Sequence, residues 1–112
     1  MKINQSDIDK LYCFLKNNPK RVSKKEIATH FYLPYSSTTE RWIRKLIAEL
    51  ATDVPIIAYS NLRGYTIPKK DEPYQVQHVK KTYNELKKRT LKMEKRMAVL
   101  ENWIFSHQTM EL

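Results

Sequence analysis

The sequence predicts a mainly α-helical α+β fold: three helices, a β-hairpin of two to three strands, then one long C-terminal helix. Three observations predict it. A serine followed three residues later by an acid occurs three times, each time ahead of a helical apolar pattern. The only glycine, Gly64, lies between two short runs of β-favouring residues. From Val76 onward, apolar residues recur at alternating steps of three and four.

The serine–acid pairs are Ser6 with Asp9, Ser23 with Glu26, and Ser37 with Glu40. In a capping box the serine oxygen and the acid satisfy backbone amides that the first helical turn leaves without partners. The first helix carries Ile8, Leu11, Tyr12 and Leu15 on one face and stops at Asn17-Asn18-Pro19. The second carries Ile27, Ala28 and Phe31 before Leu33-Pro34. The third carries Ile43, Leu46, Ile47 and Leu50 and ends before Asp53-Val54-Pro55. Glu40 is assigned to the cap of its own helix.

Residues 56–59 and 65–67 have strand composition, and Asn61-Leu62-Arg63-Gly64 between them reads as a hairpin loop with Arg63 at its tip. Glycine adopts positive φ without steric cost, which suits Gly64 to a hard turn. Val22 is a candidate third strand pairing with this hairpin.

The chain has 112 residues, enough for one modest domain and an appendage, placed at 1–70 and 71–112. No apolar run approaches the ~20 residues that span a bilayer, and no secretory signal pattern opens the sequence, so no membrane partner is expected. A single cysteine, Cys13, excludes an internal disulfide framework and fits a reducing cytoplasm. Among Tyr12, Phe14 and Leu15, Cys13 is expected to be a buried, inert thiol. His30, His78 and His107 lie too far apart, without a second cysteine, for a metal site. There is no glycine-rich phosphate loop and no nucleophile elbow, so neither an enzyme nor a cofactor is expected.

The net charge of +9 suits a polyanionic partner, and its distribution is uneven. Residues 1–70 hold 13 Lys/Arg and 6 Asp/Glu, a net of +7, whereas residues 71–112 hold 8 and 6, a net of +2. The excess belongs to the part that ends after the hairpin.

Helix, short helix, tight connection, longer helix and hairpin is the order of a winged helix-turn-helix. In that design the third helix enters the major groove of duplex DNA and the wing reaches the backbone or minor groove. At about 100° per residue, Thr38, Arg41, Lys45 and Ala48 fall opposite the apolar face of helix 3, with Arg44 on the flank. Arginine pairs with guanine edges and lysine neutralises phosphate. Trp42 falls between the faces and is expected to pack against helix 2 or a neighbouring element. Tyr35 and Ser36 before the third helix, and Lys24 and Lys25 at the start of the second, are candidate backbone contacts.

The stretches ERWIRKLIAEL and VPIIAYSNLRGYTIP resemble the winged helix-turn-helix of small phage and prophage proteins. The ending Gly64-Tyr65-Thr66-Ile67-Pro68 is also similar to that of the N-terminal DNA-binding domain of biotin-ligase repressors. The resemblance covers roughly residues 6–68. It implies duplex-DNA contacts from Arg41, Arg44 and Lys45 on helix 3 and from Arg63 on the wing. The link Tyr32-Leu33-Pro34-Tyr35-Ser36 departs from it: the glycine common there is missing and the link is longer. No ligase domain follows, so biotin chemistry is not implied.

The C-terminal pattern is a heptad seam. Val76, Tyr83, Thr90, Met97 and Ile104 occupy the a positions, and Val79, Leu86, Met93 and Leu100 the d positions. A helix over about residues 73–106 cannot bury this seam against itself. A homodimeric coiled coil is expected, which would bring two recognition helices to one DNA. Arg89 and Arg96 at g, facing Glu94 and Glu101 at e, favour a parallel pair; an antiparallel pair stays open. So does folding back, with residues 103–105 against Trp42 or the first helix. The functional expectation is a dimeric, sequence-specific DNA-binding protein of a phage or mobile element, a transcriptional regulator or replication-origin factor. The alternative is an adaptor or inhibitor that binds host or phage proteins of nucleic-acid machinery.

Overall fold

The computed structural model describes residues 2–59 and 64–111, with side chains of the last helix described through residue 106. The elements are α1 (Gln5–Lys16), α2 (Lys24–His30), α3 (Ser37–Leu50), β1 (Ile57–Tyr59), β2 (Gly64–Thr66) and α4 (Pro73–Glu111). The chain divides into two compact units, Met1–Val76 and Gln77–Leu112. Among the described residues no helix is long and apolar enough to cross a membrane.

Two of the three expected caps are displaced. Asn4, not Ser6, caps α1: its side chain accepts from the Asp7 amide at 2.9 Å, and the Asp7 carboxylate accepts the Asn4 amide at 3.1 Å. The upstream box leaves Ser6 inside the first turn and lets Gln5 donate to Asp9 across one turn at 2.9 Å. Ser23 and Glu26 form the expected box on α2. Ser36, not Ser37, caps α3, accepting from the Thr39 amide at 3.2 Å. The third helical residue is then Thr39, which cannot complete a box, and its hydroxyl donates instead to the Pro34 carbonyl at 2.7 Å. Glu40 therefore does not cap its own helix.

The core comes from the predicted apolar faces. Leu11 and Leu15 of α1, Ile27 and Ala28 of α2, and Ile43, Leu46, Ile47 and Leu50 of α3 are buried together with Val22 and Ile57. α3 packs on both α1 and α2, and β2 packs on α1. Trp42 joins this core: its ring meets Phe31 edge-on at 5.3 Å, and its Nε1 donates to the Lys2 carbonyl at 3.4 Å. Cys13 is exposed, contrary to expectation. It lies two residues from both Leu11 and Leu15, about 200° around the helix, so a stripe that buries those two turns the thiol outward.

β1 and β2 are antiparallel, with Ile57 opposite Thr66 and Tyr59 opposite Gly64. Val22 adds the expected third-strand bridge, exchanging two backbone hydrogen bonds with Tyr65 at 2.9 and 2.8 Å. Gly64 opens β2 rather than closing the loop, and its φ is +105°. A second constraint joins the dihedral: a β-carbon on Gly64 would overlap the Val22 carbonyl oxygen. Only glycine meets both.

The α2–α3 link solves its missing glycine in an unusual way. Leu33 N–H donates to the Ala28 carbonyl and Tyr32 N–H to the Thr29 carbonyl, the two bonds of a Schellman motif. Tyr32 itself takes the left-handed position, with φ +55°. Its side chain is 91 % exposed, so the strain is not offset by burial.

α4 is a single 39-residue helix with Pro73 as its first residue, where a missing amide hydrogen costs nothing. On this helix Tyr83, Leu86, Met93, Met97, Leu100 and Ile104 are exposed in the single chain, and Val76 and Val79 are half-buried. Thr90, the polar break in the seam, donates its hydroxyl to the Leu86 carbonyl at 2.9 Å.

Candidate nucleic-acid interface

α3 displays two opposed faces. Thr39, Trp42, Ile43, Leu46, Ile47 and Leu50 are buried, whereas Thr38, Arg41, Arg44, Lys45 and Ala48 are exposed. The exposed arc thus holds three cations, as the helical angle predicts. Its edges differ. Thr38, Arg41 and Lys45 line a shallow depression beside Trp42. Arg44 follows Glu40 by four residues, about 40° further round, and so lies toward α2.

Glu40 faces α2 because Lys24 holds it there. Lys24 Nζ donates to Glu40 Oε1 at 3.3 Å, a pair that closes the gap between the first turns of α2 and α3. Half of the expected backbone-contact pair is thereby occupied: Lys24 is partly buried and paired, while Lys25 is exposed. Ser36 is likewise committed, accepting from the Thr39 amide and donating to the Thr39 hydroxyl at 3.2 Å. Tyr35 stays 46 % exposed. Arg63, the expected tip of the hairpin, lies outside the described residues.

The sequence reading missed what gathers around β1 and β2. Lys24, Lys25 and Tyr35 do not stand apart; with Ser23, Tyr59, Gly64 and Tyr65 they line one concavity of about 480 Å³. Three tyrosines and two lysines from α2, the α2–α3 link and the hairpin thus share one cradle. Tyr59 also lines a second hollow of about 380 Å³, together with Lys20 and Arg21. The Arg21 guanidinium lies 5.4 Å from the centre of the Tyr59 ring, within cation–π range. The bridge from Val22 to Tyr65 sets Arg21 and Ser23 beside the hairpin, so the candidate strand at Val22 was the signal that could have found them.

Among the described residues no group of three His, Cys, Asp or Glu side chains could hold a metal ion. His30, the last residue of α2, is stacked on Phe14 of α1 at 4.1 Å. Loss of hydration there, and secondarily the charge of Lys10, hold its pKa below the ordinary 6.5. No family model matches the chain, and no curated protein or solved structure matches it either.

Proposed function

We propose that residues 1–70 are a winged helix-turn-helix that binds duplex DNA, with α3 in the major groove and the hairpin on the backbone or minor groove. The observation that carries this reading is the outward arc of α3. It offers Arg41, Arg44 and Lys45 to solvent, and the one acid in its first two turns, Glu40, is already paired with Lys24. An α-helix so presented fits the major groove, where arginine reads guanine and lysine meets phosphate. The cap at Ser36 and the hydrogen bonds donated by the Tyr32 and Leu33 amides fix where α3 begins and hence what its first turns present.

In this reading α4 pairs two copies through the seam from Val76 to Ile104, so that two α3 helices engage a two-fold site. The biological role is regulation of transcription or marking of a replication origin by a phage or mobile-element protein in the bacterial cytoplasm. The experiment is selection of bound duplexes from a random pool, followed by titration of the winner across a salt gradient. A palindromic consensus with steep salt dependence is expected. Retention that is independent of both salt and sequence would overturn the reading in favour of a protein-binding adaptor.

A further inference from the structure

The cradle between α2, the α2–α3 link and the hairpin offers more than charge. Its wall carries Tyr35, Tyr59 and Tyr65, and its volume of about 480 Å³ lies in the range of small-molecule sites. A continuous duplex keeps its bases stacked inside and presents only phosphates and groove edges to such a surface. Among the described residues two of the cradle's phosphate-binding groups are already engaged: Lys24 pairs with Glu40, and the Ser23 hydroxyl hydrogen-bonds the Glu26 carboxylate at 3.3 Å. Among the described residues Lys25 is exposed at the cradle, and Tyr35 is the most open of its lining rings. An exposed aromatic ring beside a lysine suits an unpaired nucleotide, whose base stacks while its phosphate meets the lysine.

We infer that this cradle takes an unpaired nucleotide, so that the protein prefers a duplex with a single-stranded extension or fork over a continuous duplex. The inference rests on the duplex-binding reading, because Tyr35 directly precedes the Ser36 cap of α3 and the two sites would be filled by one ligand. Lys20 and Arg21, beyond Tyr59, would carry the extending strand's backbone away from the cradle. The ligand class is therefore junction DNA, as found at an opened origin or a replication fork.

The test is fluorescence anisotropy with three probes: a blunt duplex of the selected sequence, the same duplex with a short single-stranded extension, and the single strand alone. The wild type should bind the extended duplex about tenfold more tightly than the blunt one, the scale of one base stacked on an aromatic ring. Tyr35→Ala should bring that ratio close to one, and Tyr35→Phe should preserve it, since stacking needs the ring and not the hydroxyl. Circular dichroism of each variant checks that it is folded. Equal affinity of the wild type for blunt and extended duplexes overturns the inference and leaves the duplex reading standing. A ratio lost equally in Tyr35→Phe also overturns it, replacing stacking by a hydroxyl–phosphate bond. Tyr35-dependent binding of the single strand as tight as that of the extended duplex supports the cradle and removes the duplex reading. No binding of any probe removes both.

Discussion

Lys24 and Glu40 meet at 3.3 Å across sixteen residues of sequence, joining the first turn of α2 to the first turn of α3. The contact sets the electrostatics of the proposed DNA face, because it neutralises one cation and seats one acid beside the exposed arginines.

Replacing that acid should therefore tighten DNA binding. Glu40→Gln removes a negative charge from the face and releases Lys24 toward phosphate. Duplex affinity should rise several-fold near 0.1 M salt, and the slope of log K against log salt should steepen by about 0.9, one further phosphate contact. Stability should fall by at most about 1 kcal/mol, since the pair is only partly shielded from water. Anisotropy across a salt series measures the first two effects, and chemical denaturation the third.

Gly64→Ala should be strongly destabilising. The φ of +105° already disfavours a side chain, and the new methyl group would press on the Val22 carbonyl, whose residue anchors the bridge to Tyr65. A loss of roughly 2–4 kcal/mol is expected, read as a lower urea midpoint at unchanged slope. A change of only a few tenths would mean that the hairpin does not lie against Val22.

These two cases mark how far the sequence was legible. Periodicity revealed α1, α2 and α3, because burial repeats every turn along a single helix, and it marked α4 as helical. The lone glycine and the strand-like residue Val22 pointed to the hairpin and its bridge. The pairing of Lys24 with Glu40 was hidden, since Glu40 also fitted a local cap and only packing of α2 on α3 decides between them. The cradle was hidden for the same reason: Tyr35, Tyr59 and Tyr65 come from separate segments that have no shared period. Caps were read to within two residues, since Asn4 and Ser6, or Ser36 and Ser37, satisfy nearly the same rule.

Tyr32→Gly should stabilise the fold. Tyr32 holds φ +55° at the position where helices favour glycine, and its exposed ring adds little packing; Lys10 Nζ lies 5.6 Å from its centre. Relief of left-handed strain is worth roughly 1–2 kcal/mol, and the added freedom of an unfolded glycine returns part of it. A net gain of about 0.5–1 kcal/mol is expected in denaturant melts. A loss would show that the Tyr32 ring makes a contact of real value.

His30 should make the fold acid-sensitive in a defined window. Its folded pKa lies below the ordinary 6.5, first because of desolvation beside Phe14 and Phe31 and then because of Lys10. Below 6.5 the unfolded chain binds a proton that the folded one resists, so the contribution is complete above 6.5 and is lost as pH falls toward the folded value. His30→Phe keeps an aromatic ring on Phe14 and removes the proton. The difference in melting temperature between pH 7.5 and 5.5 should therefore be smaller in His30→Phe than in the wild type. Carboxylates and net charge act on both chains alike, so this comparison isolates the imidazole.

The seam of α4 gives the last prediction. Met97 is an exposed a-position residue, flanked one turn away by Met93 and Leu100, and an acid there would place a charge inside the paired seam. Met97→Glu should leave residues 2–76 folded yet weaken self-association by tenfold or more, as seen in sedimentation equilibrium. Affinity for a two-fold duplex should fall with it, because two linked α3 helices gain from effective concentration what one cannot. Affinity for a single half-site should hold. Thr90→Ile should act in the opposite direction: the Thr90 hydroxyl is already satisfied by the Leu86 carbonyl, so its replacement leaves no lost partner on a second helix and adds apolar area to the seam. A wild type that sediments as a monomer at micromolar concentration would remove the paired-helix arrangement, while leaving the α3 face to be judged by its own DNA titration.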